Sequence, residues 1–425
     1  MNKKIVIIGA GVAGINAATK LVDNGYPGEL ITIIDKGNDP HNRLPEEVMT
    51  GMLGAGGWSD GKLTYHTAIG GVLSKYCGEE KAMELMDQVI SNFRRFHPKP
   101  EEIFCSDPQA EPDFIKPHFG LRLFPVWHIG SNYLHEIAKT WYSYLLDKGV
   151  KFSWNIEVKD ILFNIHTIHL SDGNSEEYDE LIFAVGKSGI DFGKKLADDY
   201  QLPTEPKSVQ IGVRFEAPQK YFQKLIDVSY DFKLYQKFDN VSLRSFCTNN
   251  NAAYVAVEET YGDVSYNGHA KKGEEFRNDM TNFGILMEIK GIENPFEWSR
   301  DVVNKLQISG TGLYYSPLRN PSKTSEHELI NTTQIFNLTT VKEVMGEYFT
   351  YVENFINDMD KIFEFGGDYG IYIPEVKYLS PEPLVDYKNL ALVDYPNVHF
   401  VGDALSARGI TVSGAQGIYV AESLL

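Results

Sequence analysis

The stretch KKIVIIGAGVAGINAATKLVDNGYPGELITIID, residues 3–35, decides the fold. It reads as strand, tight turn, helix and second strand. The unbroken apolar run Ile5, Val6, Ile7, Ile8 suits a parallel strand buried on both faces. Gly9, Gly11 and Gly14 follow at the G-x-G-x-x-G spacing, with Val12 and Ala13 inside the motif. The first glycine allows the tight turn, the second lets the backbone approach a pyrophosphate, and the third lets helix and strand pack closely. Val12, Ile15, Ala18, Leu21 and Val22 recur at helical spacing, and Gly25 is a helix stop. The start of that helix offers free N–H groups and a positive dipole end to phosphates. Residues 30–34 make the second strand. It ends at Asp35, about 20 residues past the last glycine, where an acid can bind a ribose hydroxyl. Lys36 beside it is a further candidate cofactor contact. The order of these parts points to a dinucleotide site, and the acid favours FAD or NAD over NADP. This stretch does not choose between those two.

Composition sets the outer bounds. At 425 residues the chain has room for two or three domains of common size. Hydrophobic content of 43% and charged content of 23% fit a globular protein in water, and no apolar run approaches the roughly 18 residues of a membrane span. The opening MNKKIVIIGAGVAG is too short in its apolar part for a signal peptide and breaks into the glycine turn, so it is read as the first strand. A net charge of −18 opposes non-specific binding to nucleic acid or to an anionic membrane. Cys77, Cys105 and Cys247 form no CxxC pair, which argues against a disulfide scaffold, a zinc site and a flavin reductase with paired thiols. A reducing, cytoplasmic compartment is expected. No metal site is expected.

After a polar loop at 36–47, glycines crowd the segment TGMLGAGGWSDGKLTYHT at Gly51, Gly54, Gly56, Gly57 and Gly61. Such a backbone suits a flat or charged ligand, and Trp58, Ser59, Asp60 and Lys62 add specific side chains. Residues 79–97 form an amphipathic helix, with Leu85, Met86, Val89, Ile90, Phe93 and Phe96 on one face. A proline-dotted link follows, then a strand end before His128 and a helix from about Ser131 or Asn132 to Gly149. Val150, Phe152, Trp154, Ile156 and Val158 alternate as one half-buried strand, and short strands with a turn at 171–173 continue to Tyr178. A buried strand at 181–185 ends at Gly186, as nucleotide-binding strands do. From about Pro203 the texture turns to aromatic, alternating strands at 209–216, 230–238, 242–248 and 252–259. Helical patterns follow near 273–290, 295–305 and 338–363. No second strand-GxGxxG-helix unit occurs, which argues against a dedicated NAD(P)H domain.

The end of the chain returns to the first pattern. Residues 398–401 are a short strand, Gly402 and Asp403 follow, and glycines at Gly409, Gly414 and Gly417 break the stretch before a closing helix. This arrangement sets a carboxylate beside a polyol and N–H groups beside an anion. FAD has both, in its ribityl chain and in the negative charge of its reduced ring; NAD has no ribityl chain and no ring that becomes anionic on reduction. The two ends together select FAD.

The pieces GAGVAG (9–14), GAGGWSDGKL (54–63), HIGSNYL (128–134), AVGKSG (184–189), IGVRFE (211–216), FCTNNNAAYVAVEE (246–259), YNGH (266–269) and FVGDALSARGITVSGAQGI (400–418) extend this reading over most of the chain. Together they resemble the FAD-dependent oxidoreductases of the glutathione-reductase-like superfamily. More closely, they resemble its branch of NAD(FAD)-utilising dehydrogenases. SDGKL and GVRFE are the most telling of the branch. One departure stands out: where relatives tend to carry Cys-Pro-Gly-Gly, this chain has Thr248, Asn249, Asn250 and Asn251 after Cys247. The resemblance implies non-covalent FAD, redox chemistry and a substrate domain inserted between halves of the FAD domain. It implies no particular substrate.

The expected fold is α/β: a discontinuous Rossmann-type FAD-binding domain with a parallel sheet and a β-meander, at 1–200 and 380–425, plus an inserted α+β substrate domain at 201–379. Gly9, Gly11 and Gly14 are expected at the pyrophosphate, Asp35 at the ribose, and Gly57, Trp58 and Ser59 along the flavin. Val158 is expected at the adenine by family analogy. Gly186 is expected at the cofactor, Gly402 and Asp403 at the ribityl chain, and Gly409, Ile410 and Ser413 at the pyrimidine edge. Lys62 and Arg214 are the candidate catalytic residues. The substrate is expected between the flavin and strands such as 209–216 and 242–248. The expected function is hydride transfer between flavin and a small organic substrate, with NAD(P)H, if used, a transient donor. Two other classes stand beside it: a flavin-dependent nucleic-acid-modifying enzyme, which the charge disfavours, and a flavin-bearing binding protein without turnover. The sequence assigns no oligomeric state.

Overall fold

The computed structural model describes residues 3–44, 47, 49–71, 73–108, 110–205, 207–251, 253–260, 263–270, 277–308, 313–315, 338–377 and 382–425, less some side chains within them. By its internal contacts the chain divides into two units, Met1–Cys105 with Pro125–Glu205 and Ser380–Leu425, and Ser106–Phe124 with Pro206–Leu379.

The first unit is built on a six-stranded sheet in the order Ala391–Leu392, Tyr395–Phe400, Glu180–Phe183, Ile5–Ile8, Ile31–Ile34, Lys151–Ser153. The five strands from Tyr395–Phe400 to Lys151–Ser153 run parallel, and Ala391–Leu392 is antiparallel at the edge. Ile5–Ile8 and Ile31–Ile34 are buried throughout, as their apolar runs require. From Ile5–Ile8 the chain winds outward first to one side of the sheet and later to the other. The carboxyl end of Ile5–Ile8 is therefore the topological switch point, where α/β sheets bind ligands. The turn after that strand leads into the first helix, Val12–Asp23. A three-stranded antiparallel meander follows from Val158–Leu162, Thr167–Leu170 and Ser175–Glu177. The closing helix Ile410–Leu424 packs along the first helix.

The second unit holds a seven-stranded antiparallel sheet in the order Leu313–Tyr315, Gly370–Lys377, Val209–Pro218, Met280–Ile289, Val241–Asn251, Lys233–Lys237, Gly120–Arg122. Period-two alternation divides its faces. Ile211, Val213, Phe215, Phe283, Ile285 and Met287 share a core with helices Pro295–Ile308, Leu338–Met345 and Glu347–Phe363. The alternate positions Arg214, Glu216 and Asn282 are also buried. A hairpin, Ala253–Thr260 with Asp263–Ala270, reaches this other side, where a Cβ at Gly268 would sit 1.6 Å from Nη2 of Arg214. Both units together give the expected fold class, an α/β protein with a parallel sheet, a meander and an α+β second part.

Four expectations about elements are corrected. The helical pattern near 273–290 covers a strand, Met280–Ile289, while 271–276 lie outside the described residues. That strand is central and buried on nearly every residue, so its apolar positions lose their alternation and imitate helical spacing. The single strand read at 150–158 is two, in two different sheets, because Asn155 turns the chain at φ 60°. Gly414 and Gly417 lie inside the closing helix and do not break it. Residues 106–124 belong with the second unit, where Gly120–Arg122 is the edge strand beside Lys233–Lys237.

Candidate functional site

The glycines of the first turn have different causes. Gly9 has φ 105°, and a Cβ there would stand 2.3 Å from the Ala184 carbonyl oxygen. A Cβ at Gly14 would stand 2.2 Å from the Gly9 carbonyl oxygen. The protein's own packing demands both glycines. Gly11 is different. Its φ of −66° and ψ of 179° suit any residue, and the nearest atom to an added Cβ is 4.0 Å away. Among the described residues nothing requires glycine there, and the open space leaves room for a group against the turn. Gly11 is also the N-cap of Val12–Asp23, with no side-chain cap bond and no acid in the first turn, which leaves N–H groups to offer an anion.

The glycine-rich segment forms the next wall. The Leu53 N–H donates to the Ala10 carbonyl at 2.7 Å, and Gly57 N–H donates to Leu53 at 3.0 Å. Residues Gly56–Asp60 form a π-helical turn. A Cβ at Gly56 would meet Ile410 Cγ1 at 2.6 Å and Val12 Cγ2 at 3.6 Å, so this segment lies between the starts of the first and closing helices. Gly402 (φ 70°) is close as well, with an added Cβ 3.5 Å from that of Ala13. The Gly402 N–H donates to buried Gln416 Oε1 at 2.8 Å.

Trp58 has two close partners. The Arg43 guanidinium carbon lies 4.3 Å from the Trp58 ring centre, and the His135 ring lies 3.9 Å away, tilted by 43°. Arg43 donates to the carbonyls of Met52 at 2.7 Å, Gly54 at 3.1 Å and Glu47 at 2.9 Å, which pins the segment leading into the turn. Burial lowers the Arg43 pKa to about 10, against the pull of Asp35 and Glu47. Burial, then the charges of Arg43 and Lys139, lower that of His135. The sequence reading missed both residues. Neither falls in a motif, and only the tertiary structure brings them to Trp58. The side chains of Ser59 and Asp60 lie outside the described residues.

Asp35 ends the second strand as expected but faces inward. It is 8% exposed, and Oδ2 accepts the Ala10 N–H at 2.8 Å while Oδ1 accepts those of Gly37 at 2.7 Å and Gly51 at 2.8 Å. Lys36 Nζ donates to the Ser188 carbonyl at 3.1 Å, across to the turn after Gly186. Gly186 has φ 62° and nothing within 4 Å of an added Cβ. Val158 is buried at the start of the meander.

The closing helix presents a second uncapped start. Gly409 (φ 100°) is its N-cap, without a side-chain cap bond and with open space beside it. The Ser413 hydroxyl is spent on the Ala407 carbonyl at 3.1 Å. Asp403 pairs with Arg408, Oδ1 to Nε, at 3.6 Å. Ile410 is buried, and the Thr411 hydroxyl is buried with no protein partner among the described residues.

The two candidate catalytic residues fall in different units. Lys62 opens the strand Lys62–Thr64, half-buried, directly after the π-helical turn. Arg214 is fully buried in the second unit's sheet. Its Nε and Nη2 donate to Asn282 Oδ1 at 3.0 and 2.7 Å. Nη2 also donates to the Cys247 carbonyl at 2.7 Å, and Nη1 lies 3.4 Å from Glu375 Oε1. The guanidinium thus braces the bulge at Cys247 and is closed to solvent.

No family model matches the chain, and no curated protein matches it. Among solved structures it is similar to halogenase PltM, at 12% identity, covering 100% of this chain and 68% of that one, with TM-score 0.42. It is similar to a flavoprotein/dehydrogenase from Cytophaga hutchinsonii at 13% identity, covering 100% and 78%, with TM-score 0.43. It is also similar to 2-methyl-3-hydroxypyridine-5-carboxylic acid oxygenase at 12% identity, covering 100% and 83%, with TM-score 0.38. Two PltM structures, one of them of a mutant, are of complexes that contain FAD.

Proposed function

We propose that the chain is an FAD-dependent oxidoreductase that moves a hydride between the flavin and a small organic substrate. The observation that carries this reading is Gly11. It is a glycine the protein does not need for its own packing, at the uncapped start of a helix, at the switch point of a parallel sheet. A second uncapped helix start, at Gly409 and Ile410, lies across Gly56 from the first. Two such starts suit a ligand with an anionic middle and an electron-rich end.

Bound FAD would supply the redox chemistry. The chain's residues bind and orient it. N–H groups at the start of Val12–Asp23 hold the pyrophosphate, with Gly9, Gly11 and Gly14 keeping the turn bare. Gly57, Trp58 and Ser59 run along the ring, and the Arg43 and His135 contacts fix Trp58. Gly402 and Asp403 take the ribityl side, and Gly409, Ile410 and Ser413 the pyrimidine edge. Gly186 and Val158 lie toward the adenosine. Lys62 supplies a cation on the ring side of the glycine segment, where it stabilises developing negative charge. NAD(P)H visits the flavin only transiently, since the sequence contains one strand-GxGxxG-helix unit.

The test is purification, an absorbance spectrum and mass spectrometry of whatever ligand is released on denaturation. A yellow protein that releases intact FAD is expected. A colourless protein that takes up neither FAD nor FMN on reconstitution overturns the reading. Bound flavin that no donor reduces leaves a binding protein in place of an enzyme.

A further inference from the structure

An acid at the end of the second strand of a dinucleotide fold is expected to grip the adenosine ribose. The surroundings of Asp35 point elsewhere. A carboxylate has about four acceptor positions. Three at Asp35 are taken, at 2.7–2.8 Å, by the N–H groups of Ala10, Gly37 and Gly51. The residue is 8% exposed. Its own backbone is bound too: the N–H donates to Ser153 and the carbonyl accepts from Ile156.

The three donors come from separate parts of the chain. Ala10 lies inside the G-x-G turn, Gly37 begins the loop after the second strand, and Gly51 begins the glycine-rich segment. The segments meet tightly, since a Cβ at Gly37 would stand 2.4 Å from the Gly51 nitrogen. None of these three N–H groups belongs to a helix or to a strand pairing. Without the carboxylate they become buried donors without an acceptor. One acceptor position remains, on Oδ2, so to take two ribose hydroxyls the carboxylate would have to release at least one of these N–H groups.

We propose that Asp35 is a positioning residue. Its carboxylate ties the glycine turn, the following loop and the glycine-rich segment into one cradle, and it does not read the ribose 2′-hydroxyl. This rests on the FAD reading above for the identity of the ligand, but the tie itself is a property of the protein without ligand.

Two measurements test it. First, flavin-stripped wild type and Asp35→Asn are melted side by side. Asparagine keeps the size but has one acceptor oxygen and sets an NH2 group in place of the other, so at least one of the three amides faces a donor. A melting temperature lower by about 4 °C or more in the flavin-free variant is expected. Equal melting temperatures overturn the proposal, because a group that only grips ribose is silent without ligand. Second, wild type is titrated with FAD and with an FAD analogue lacking the adenosine 2′-hydroxyl, which needs no variant to fold. Dissociation constants within about threefold of each other are expected. A loss of about tenfold or more, the size of a hydrogen bond to a charged group, overturns the proposal. A wild type that binds neither FAD nor FMN sinks the flavin reading, and the melting comparison then decides the role of Asp35 alone.

Discussion

Gly417 in the closing helix lies against the Ala13 carbonyl in the first helix: a Cβ there would stand 2.1 Å from that oxygen. One turn earlier, a Cβ at Gly414 would stand 2.9 Å from Val89 and 3.0 Å from Asn16. The helices approach this closely only because both positions are glycine, and their approach brings the two uncapped starts together.

Gly417→Ala is therefore expected to weaken flavin binding from a distance. The methyl group cannot be accommodated against backbone, and overpacking of this kind costs about 1–3 kcal/mol or more. Helix propensity pulls the other way by about 1 kcal/mol, since alanine favours a helix over glycine. A melting temperature at or above wild type, with flavin affinity intact, would refute the close-packing account.

Two of the three glycines of the first turn, Gly11 and Gly14, give an internal control. Gly11→Ala should leave the flavin-free protein as stable as wild type, because its φ is ordinary and the space is open. It should still lose flavin affinity, and Gly11→Val should abolish it. Gly14→Ala should destabilise the flavin-free protein by about 1–3 kcal/mol, because its Cβ meets backbone. Denaturant melts of stripped protein, paired with flavin titration, separate the two. A Gly11→Val variant that retains flavin normally would show that the turn is not the pyrophosphate site.

His135 predicts a pH dependence. Burial, Arg43 and Lys139 hold its pKa below 6.5, so the folded protein keeps the ring neutral where the unfolded chain already binds a proton. Stability should therefore fall as pH drops below 6.5, until the folded-state pKa is passed, and the loss should be absent above 6.5. His135→Phe keeps a ring against Trp58 and removes the titration. Melting temperatures between about pH 8 and pH 5 should then decline less steeply in the variant. Parallel declines would place His135 outside the acid response.

The sequence made the parallel sheet legible because its strands are buried on both faces, and Ile5–Ile8 and Ile31–Ile34 carry that burial as unbroken apolar runs. The same rule hid Met280–Ile289. A central antiparallel strand covered on both sides loses its alternation, and its M-T-N-F-G-I-L-M-E-I pattern imitates a helix. Gly414 and Gly417 misled for a related reason: a glycine that admits a neighbouring helix looks, in one chain, like a glycine that stops its own. At the candidate site, spacing located Asp35 at the strand end, but spacing carries no information about which N–H groups its oxygens accept. Arg43 and His135 were invisible because Arg43 precedes Trp58 by 15 residues and His135 follows it by 77, with no period joining them.

Lys62 and His128 are register partners where the strand Lys62–Thr64 runs antiparallel to Val126–His128, and the His128 ring stacks on Phe104 at 4.5 Å. Only Gly61 separates Lys62 from the turn Gly56–Asp60, and the Gly61 carbonyl accepts the Ile129 N–H at 2.9 Å. Its position is thus fixed from both strands, and it stands four residues beyond Trp58. On the proposed reading, in which Lys62 lies beside the flavin, a cation there would stabilise a reduced, anionic ring more than an oxidised, neutral one, because only the first carries the charge it attracts. Lys62→Met removes the charge and keeps most of the stem. The reduction potential of the bound flavin is expected to fall, by about 30 mV for each 1.4 kcal/mol of lost stabilisation in a two-electron couple, while FAD stays bound. Spectroelectrochemical titration of wild type and variant measures it. A variant with unchanged potential and unchanged rates of flavin reduction and reoxidation would leave Lys62 as a residue that only holds the loop.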